Sequence, residues 1–369
     1  ISQSLDLFVP SEIRTFRSLF QYLMELSSSR AFNLIIDEFQ EFYNINESVY
    51  SDMQNIWDTY RKKTKMNLIV AGSIYSLMQK IFQDQKEPLF GRADNSIKLS
   101  AFDLVTLKDI MHDNNPNYTN DDLLALYSFT GGVPKYVELF YDNITLSIHE
   151  MVSFMVRENS PFTDEGKNLL IEEFGKNHVV YFSILSAISS GINTQPEIEA
   201  ALGNISIGGQ IKRLIEDYNI IVRQRPILAK PGSQAVRYEI QDNFIRFWFN
   251  YFDRHRSMIE IKNFTALASI IRSDYPTYSG TMLERYFKQQ LAESLQYRDI
   301  GSWWELRGNQ NEIDIVALKL EKNQALVAEG KRQKKNFKPE LLAKKTEHLK
   351  NKLLANYQID TLCLSLEEM

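Results

Sequence analysis

The sequence predicts a multidomain α/β chain, and three observations predict it. Near the start, an apolar run, a helical segment and a second apolar run imply a parallel sheet. Helical periodicity then dominates the middle, and near the end short strands alternate with two helices. A length of 369 residues exceeds what one core usually accommodates, so two or three domains are expected. Hydrophobic residues at 44% and charged residues at 24% fit a globular chain, and a net charge of -5 gives no global reason to expect a polyanionic partner. The single cysteine, Cys363, cannot form an internal disulfide, and there is no CxxC or Cys/His spacing for zinc, so a reducing, cytoplasmic setting is expected. The longest apolar stretch, around residues 178–192, is interrupted by serines and is too short to span a bilayer. The chain starts at Ile1 and continues without a basic-then-apolar leader, so it reads as trimmed rather than signal-bearing.

Residues 11–26 carry Ile13, Phe16, Leu19, Phe20, Leu23 and Met24 at helical spacing. Leu34, Ile35 and Ile36 form a continuous apolar run of the kind found in a strand buried on both faces. A helix over residues 49–63 and a second strand over 67–71 follow. Between residues 107 and 156 apolar-periodic helices are punctuated by Thr130-Gly131-Gly132-Val133-Pro134, where proline suits the first turn of the next helix. Three short helices (179–189, 195–202, 208–217), strands at 220–225 and 237–240 and a turn at Lys230-Pro231-Gly232-Ser233 describe a winged helix. The aromatic run Phe244, Phe247, Trp248, Phe249, Tyr251, Phe252 has the spacing of a core helix. The last section reads as a helix from near residue 278, strands at 303–306, 312–318 and 326–329, a lysine-rich helix, and a strand at 361–364.

Leu34-Ile35-Ile36-Asp37-Glu38 delivers two carboxylates at the C-terminal end of a strand, where open α/β sheets bind ligands. Asn67-Leu68-Ile69-Val70-Ala71-Gly72-Ser73, Pro88-Leu89-Phe90-Gly91-Arg92 and Gly131-Gly132-Val133-Pro134-Lys135-Tyr136 follow in order. This set resembles the archaeal-type P-loop ATPase family of the AAA+/STAND class. The resemblance implies that Asp37 holds Mg²⁺, that Glu38 polarises the attacking water, that Ser73 lies near the γ-phosphate of ATP, that Arg92 senses or completes the nucleotide site, and that Pro134 lies in a helical lid. A phosphate-binding loop needs Gly-x-x-x-x-Gly-Lys-Ser/Thr, and no such string occurs; the Gly-Lys pairs at Gly166, Gly175 and Gly330 lack the rest. The resemblance therefore places that loop upstream of Ile1.

Asp314 interrupts an apolar strand, where an unpartnered carboxylate is expensive to bury. Fifteen positions on, Glu329-Gly330-Lys331 repeats the anomaly, and alternation sends Glu329 and Lys331 to one face, beside Asp314 if the strands pair as a hairpin. Asp…Glu-x-Lys resembles the core of the PD-(D/E)xK nuclease superfamily. By that resemblance Asp314, Glu329 and the Gly330 carbonyl hold Mg²⁺ or Mn²⁺, Lys331 activates water, and Glu284 on the preceding helix assists. Gly301-Ser302-Trp303-Trp304 also matches the C-terminal domain that accompanies this ATPase family.

The resulting domain expectation is a partial P-loop ATPase sheet (1–105), a helical lid (106–170), a winged helix with connecting helix (171–265) and a restriction-endonuclease-like α/β domain (266–369). The expected function is a nucleotide switch coupled to a metal-dependent nuclease-like domain; the alternative is a non-cleaving regulator that binds nucleic acid or protein. DNA is the candidate partner, through Lys212 and Arg213 on the third short helix and through the basic stretch Lys331, Arg332, Lys334, Lys335, Lys338, Lys344, Lys345, Lys350 and Lys352, though that stretch also reads as a solvated helix face. No membrane partner is expected, and a homo-oligomer is compatible with the reading. Without the phosphate-binding loop, these 369 residues are expected to bind ATP weakly or not at all, and calorimetric titration of the chain checks this.

Overall fold

In a computed structural model of the chain, residues 13–174, 178–305 and 311–369 are described. The chain divides into two compact units, the first ending at Lys98 and the second beginning at Leu99.

The first unit starts with helix Phe16–Ser27, whose N-terminus is closed by a reciprocal capping box between Thr15 and Ser18. Strand β1 (Phe32–Ile36) leads through helix Ser48–Tyr60 to β2 (Met66–Val70) and helix Tyr75–Gln83. β1 and β2 pair in parallel, from Phe32 opposite Met66 to Ile36 opposite Val70. Phe32, Leu34 and Ile36 pack onto a core of Phe20, Met24, Phe39, Tyr50, Met53 and Ile81. The opposite face corrects the expectation of a strand buried on both sides: Ile35 is 65% exposed and Ile69 43% exposed. An unbroken apolar run reports hydrophobicity but not coverage, and among the described residues this two-stranded pair is covered on one face.

In the second unit, helix Asn120–Thr130 is buried continuously from Leu123 to Thr130, as a helix surrounded by others must be. Gly131, in the left-handed conformation, terminates it, and Pro134 opens helix Pro134–Tyr141 at its first turn. Helices His178–Ser189, Gln195–Ala201 and Gly208–Glu216 precede an antiparallel pair, β3 (Ile221–Gln224) and β4 (Arg237–Ile240). The expected turn is present, with the Ser233 N–H donating to the Lys230 carbonyl at 3.0 Å. The aromatic run is buried throughout, in helix Asn243–Trp248 and a π-helical turn Phe249–Asp253.

Helix Phe264–Glu293 begins well before the expected start near residue 278, because it runs through Pro276. Proline ordinarily interrupts a helix, but here Leu267, Ala268, Ile271, Tyr275, Tyr278, Met282 and Leu283 are buried on both sides of it. Packing outweighs the lost hydrogen bond. A four-stranded sheet follows: β5 (Tyr297–Trp303), β6 (Ile313–Lys319), β7 (Gln324–Gly330) and β8 (Gln358–Leu364). β5, β6 and β7 are antiparallel neighbours, and β8 joins β7 in parallel after helix Pro339–Leu353 crosses over. β5 lies earlier than the expected strand at 303–306; Leu306 is outside the described residues. The charged and glycine-containing Tyr297–Trp303 segment has little strand pattern of its own and is recruited by pairing with β6.

At Gly132 a left-handed backbone and a close backbone neighbour coincide. Its φ is +75°, and a Cβ there would stand 2.8 Å from the Phe102 carbonyl oxygen. Gly132→Ala is expected to destabilise the second unit by about 1–3 kcal/mol through left-handed strain and backbone overlap, which urea unfolding measures.

Candidate functional site

Asp37 and Glu38 lie just beyond β1, both exposed. The Glu38 backbone is left-handed, with φ 48° and ψ 42°, and its carboxylate accepts from Ser73 Oγ at 2.8 Å and from Gln40 Nε2 at 2.5 Å. These bonds, Gln40's first, hold its pKa below the usual carboxylate value. The ends of β1 and β2 are thus tied through Glu38, Ser73 and Gln40. Nothing in the sequence marks Gln40; its burial emerges only in the structure. Arg92 is engaged elsewhere, by Asp58 at 2.7 Å and by the Pro88 carbonyl at 2.7 Å. Pro134 belongs to the second unit.

The second constellation is assembled by strand register. Ile315 pairs with Ala328, and continuing that register sets Asp314 opposite Glu329, with side chains on one face. Lys331 Nζ stands 3.8 Å from Asp314 Oδ2 and 3.4 Å from Glu329 Oε2, and the Gly330 N–H donates to Asp314 Oδ2 at 3.1 Å. Glu284, on helix Phe264–Glu293, packs against Gly330: a Cβ on that glycine would lie 3.0 Å from Glu284 Cγ. All four expected residues therefore meet. Burial raises the Asp314 pKa, with Glu329 adding to the rise and Lys331 opposing it. Burial, reinforced by Asp314, pushes Glu284 up to about 8. Burial disfavours the charge on Lys331, yet Asp314 and Glu329 outweigh it and keep its pKa above the ordinary value.

Three further contacts were not expected. Lys345, from helix Pro339–Leu353, reaches Glu329 Oε1 at 2.5 Å. Lys288, one turn after Glu284, donates to Ser302 Oγ at 2.6 Å, and Ser302 donates to the Asp314 carbonyl at 2.8 Å. Among the described residues no three His, Cys, Asp or Glu side chains form a metal cage. A hard divalent cation does not require one, because Mg²⁺ commonly takes one or two carboxylates and fills its shell with water and phosphate. Asp314 is engaged through Oδ2, by the Gly330 N–H and by Lys331, while Glu284 is buried beside it with a raised pKa.

Of the candidate DNA-facing residues, Lys212 pairs with Glu216 at 3.7 Å on an exposed helix face, and Arg213 bonds to Tyr181. In the basic stretch, Lys334 pairs with Glu368, Lys352 with Glu305, and Arg332 with Asp121, while Lys335, Lys338, Lys344 and Lys350 remain exposed. Arg332 is held most firmly, donating to both Asp121 oxygens at 2.7 Å and to Ser279 Oγ at 2.5 Å. Among the described residues no helix is long and apolar enough to cross a membrane.

Residues 12–140 match the family described as an ATPase domain predominantly from Archaea. Residues 248–347 match a family described as archaeal and bacterial proteins of unknown function. An uncharacterized protein of Methanocaldococcus jannaschii is 33% identical over 311 residues, a match spanning 81% of this chain and 67% of that protein. A Walker-type ATPase of Pyrococcus abyssi has 16% sequence identity and a TM-score of 0.47, over 67% of this chain and 73% of its own.

The raised Glu284 pKa has a defined sign. In the folded chain Glu284 keeps a proton up to about pH 8, whereas its ordinary value is 4.5, so its contribution to stability is fully present below about 4.5 and is lost as pH rises through 8. With a chelator present, thermal midpoints should fall between pH 5 and 8, and Glu284→Gln should flatten much of that slope. An unchanged slope in the variant would assign the pH dependence to other groups.

Proposed function

This chain belongs to an archaeal ATPase family, and we propose that it couples a nucleotide-responsive module to a metal-dependent phosphodiesterase site acting on DNA. The observation that supports the second half of this reading is the meeting of Asp314, Glu329, Lys331 and Glu284 at adjacent strand ends. Asp314 and Glu329, with the Gly330 carbonyl, would hold Mg²⁺ or Mn²⁺. Such an ion, when bound, supplies positive charge to a scissile phosphate. Lys331, kept protonated by Asp314 and Glu329, would orient the attacking water and offset charge developing on the phosphate oxygens. Glu284, whose pKa burial raises, would donate a hydrogen bond rather than accept one.

In the first unit, Asp37 and Glu38 would serve Mg²⁺ and water at the nucleotide, with Ser73 beside the phosphates; Arg92, tied to Asp58, would have to exchange partners to reach it. The three short helices and hairpin read as a winged helix presenting Lys212 and Arg213 to DNA.

A second reading is favoured by one observation: both oxygens of Glu329 already face lysines, Lys331 and Lys345. A closed charge cluster of this kind would stabilise a domain that binds without cutting. Incubating the chain with linear and supercoiled DNA in Mg²⁺ or Mn²⁺ separates the two. Strand cleavage is expected, with Asp314→Ala reducing it at least about 100-fold; metal-independent DNA binding with no cut strand would favour the second reading.

A further inference from the structure

A second polar constellation lies beside Glu284, formed by the end of β4, helix Asn243–Trp248 and the long helix Phe264–Glu293. Arg285, the residue after Glu284, donates from Nη1 to the Ile240 carbonyl at 2.9 Å and from Nη2 to the Gln241 carbonyl at 2.6 Å. Its guanidinium is thereby fixed where β4 ends. Arg246 comes close to it: burial lowers the Arg246 pKa, and the neighbouring charge of Arg285 lowers it further. Among the described residues neither guanidinium forms a salt bridge, and no side-chain hydrogen bond engages Arg246. Tyr278 stands about two turns before Arg285 on the long helix. It is 9% exposed, and its buried hydroxyl has no hydrogen-bond partner among the described residues. Burial pushes its pKa up to about 12, and the charges it feels most are those of Arg246 and Arg285.

Two cations drawn together away from water, and a buried hydroxyl left unmatched, cost free energy unless something answers them. The acidic neighbours answer only in part. Asp242 already accepts from the Ile245 N–H at 2.8 Å, and burial raises its pKa as it does that of Glu284. Glu239 attracts Arg246 less than Arg285 repels it. An anion with several acceptor oxygens would satisfy all three groups at once: the planar fork of an arginine engages two oxygens of a phosphate, and a tyrosine hydroxyl donates to another. We propose that Arg246, Arg285 and Tyr278 form a binding site for a phosphate group, free or at the end of a nucleic-acid strand. This site calls for no divalent ion, so it stands whether or not the neighbouring carboxylates take one.

The whole chain, held in a chelator, is titrated with inorganic phosphate by calorimetry, and with oligonucleotides carrying a terminal phosphate or a terminal hydroxyl by fluorescence anisotropy. Saturable binding of a phosphate group is expected, weakened at least about tenfold by Arg246→Gln and about threefold by Tyr278→Phe. Thermal midpoints establish that the variants fold, and Tyr278→Phe, which keeps the ring, carries the test if Arg246→Gln does not. A preference for the terminal phosphate that Arg246→Gln abolishes would support the site and assign it to strand ends. Inorganic phosphate bound with no such preference, and lost in the same variant, would support it as a site for the free anion. No binding of either probe to the unaltered chain, or binding unchanged in the folded variants, would overturn the site and leave the reading of the carboxylate site standing.

Discussion

The second unit is organised around one electrostatic constraint: antiparallel pairing of β6 and β7 sets two carboxylates side by side in the two mostly buried strands of the sheet. Like charges directly opposite one another destabilise a sheet, and burial removes the water that would screen them. The surrounding chain answers with three groups. Lys331 comes from the end of β7, Lys345 from the crossover helix and a backbone N–H from Gly330. Glu284 responds differently, by retaining its proton. Each group is tolerable because the others are present, so removing a single cation leaves an uncompensated buried charge and disrupts more than the pair itself contributes.

The parts of this arrangement differ in how far the sequence discloses them. Asp314 and Glu-x-Lys were legible because a charge in an apolar strand is anomalous and period-two alternation fixes its face. Lys345 was not: on its own helix it belongs to a run of lysines that resembles a solvated surface, and only the placement of the crossover helix against β7 turns it inward. The exposed Ile35 and Ile69 were illegible for a related reason, since hydrophobic runs record composition and not the neighbours that cover them. Pro276 misplaced a helix start because a local rule was overridden by burial on either side. Elements with strong periodicity, including Arg237–Ile240 and the three helices before it, were read close to their observed bounds.

The first unit carries a smaller version of the same constraint. Glu38 adopts a left-handed backbone that a β-carbon disfavours. Its carboxylate bonds to Ser73 and Gln40 hold that turn in place. The two acids at the end of β1 are therefore held in different ways: Asp37 accepts from the next residue's N–H at 2.9 Å, while Glu38 is fastened to the neighbouring strand's loop. Two adjacent carboxylates acquire distinct surroundings from one non-glycine residue in an unusual conformation.

Arg332 gives the lysine before it a mechanical context. Its guanidinium grips Asp121, in the first turn of helix Asn120–Thr130, and Ser279 on the long helix. Lys331 and Arg332 leave the chain at adjacent Cα atoms joined by one planar peptide unit. The long helix that Arg332 also touches carries Glu284. The helix that carries Glu284 and the chain that carries Lys331 are thus cross-linked at Ser279, and both are tied through Arg332 to helix Asn120–Thr130.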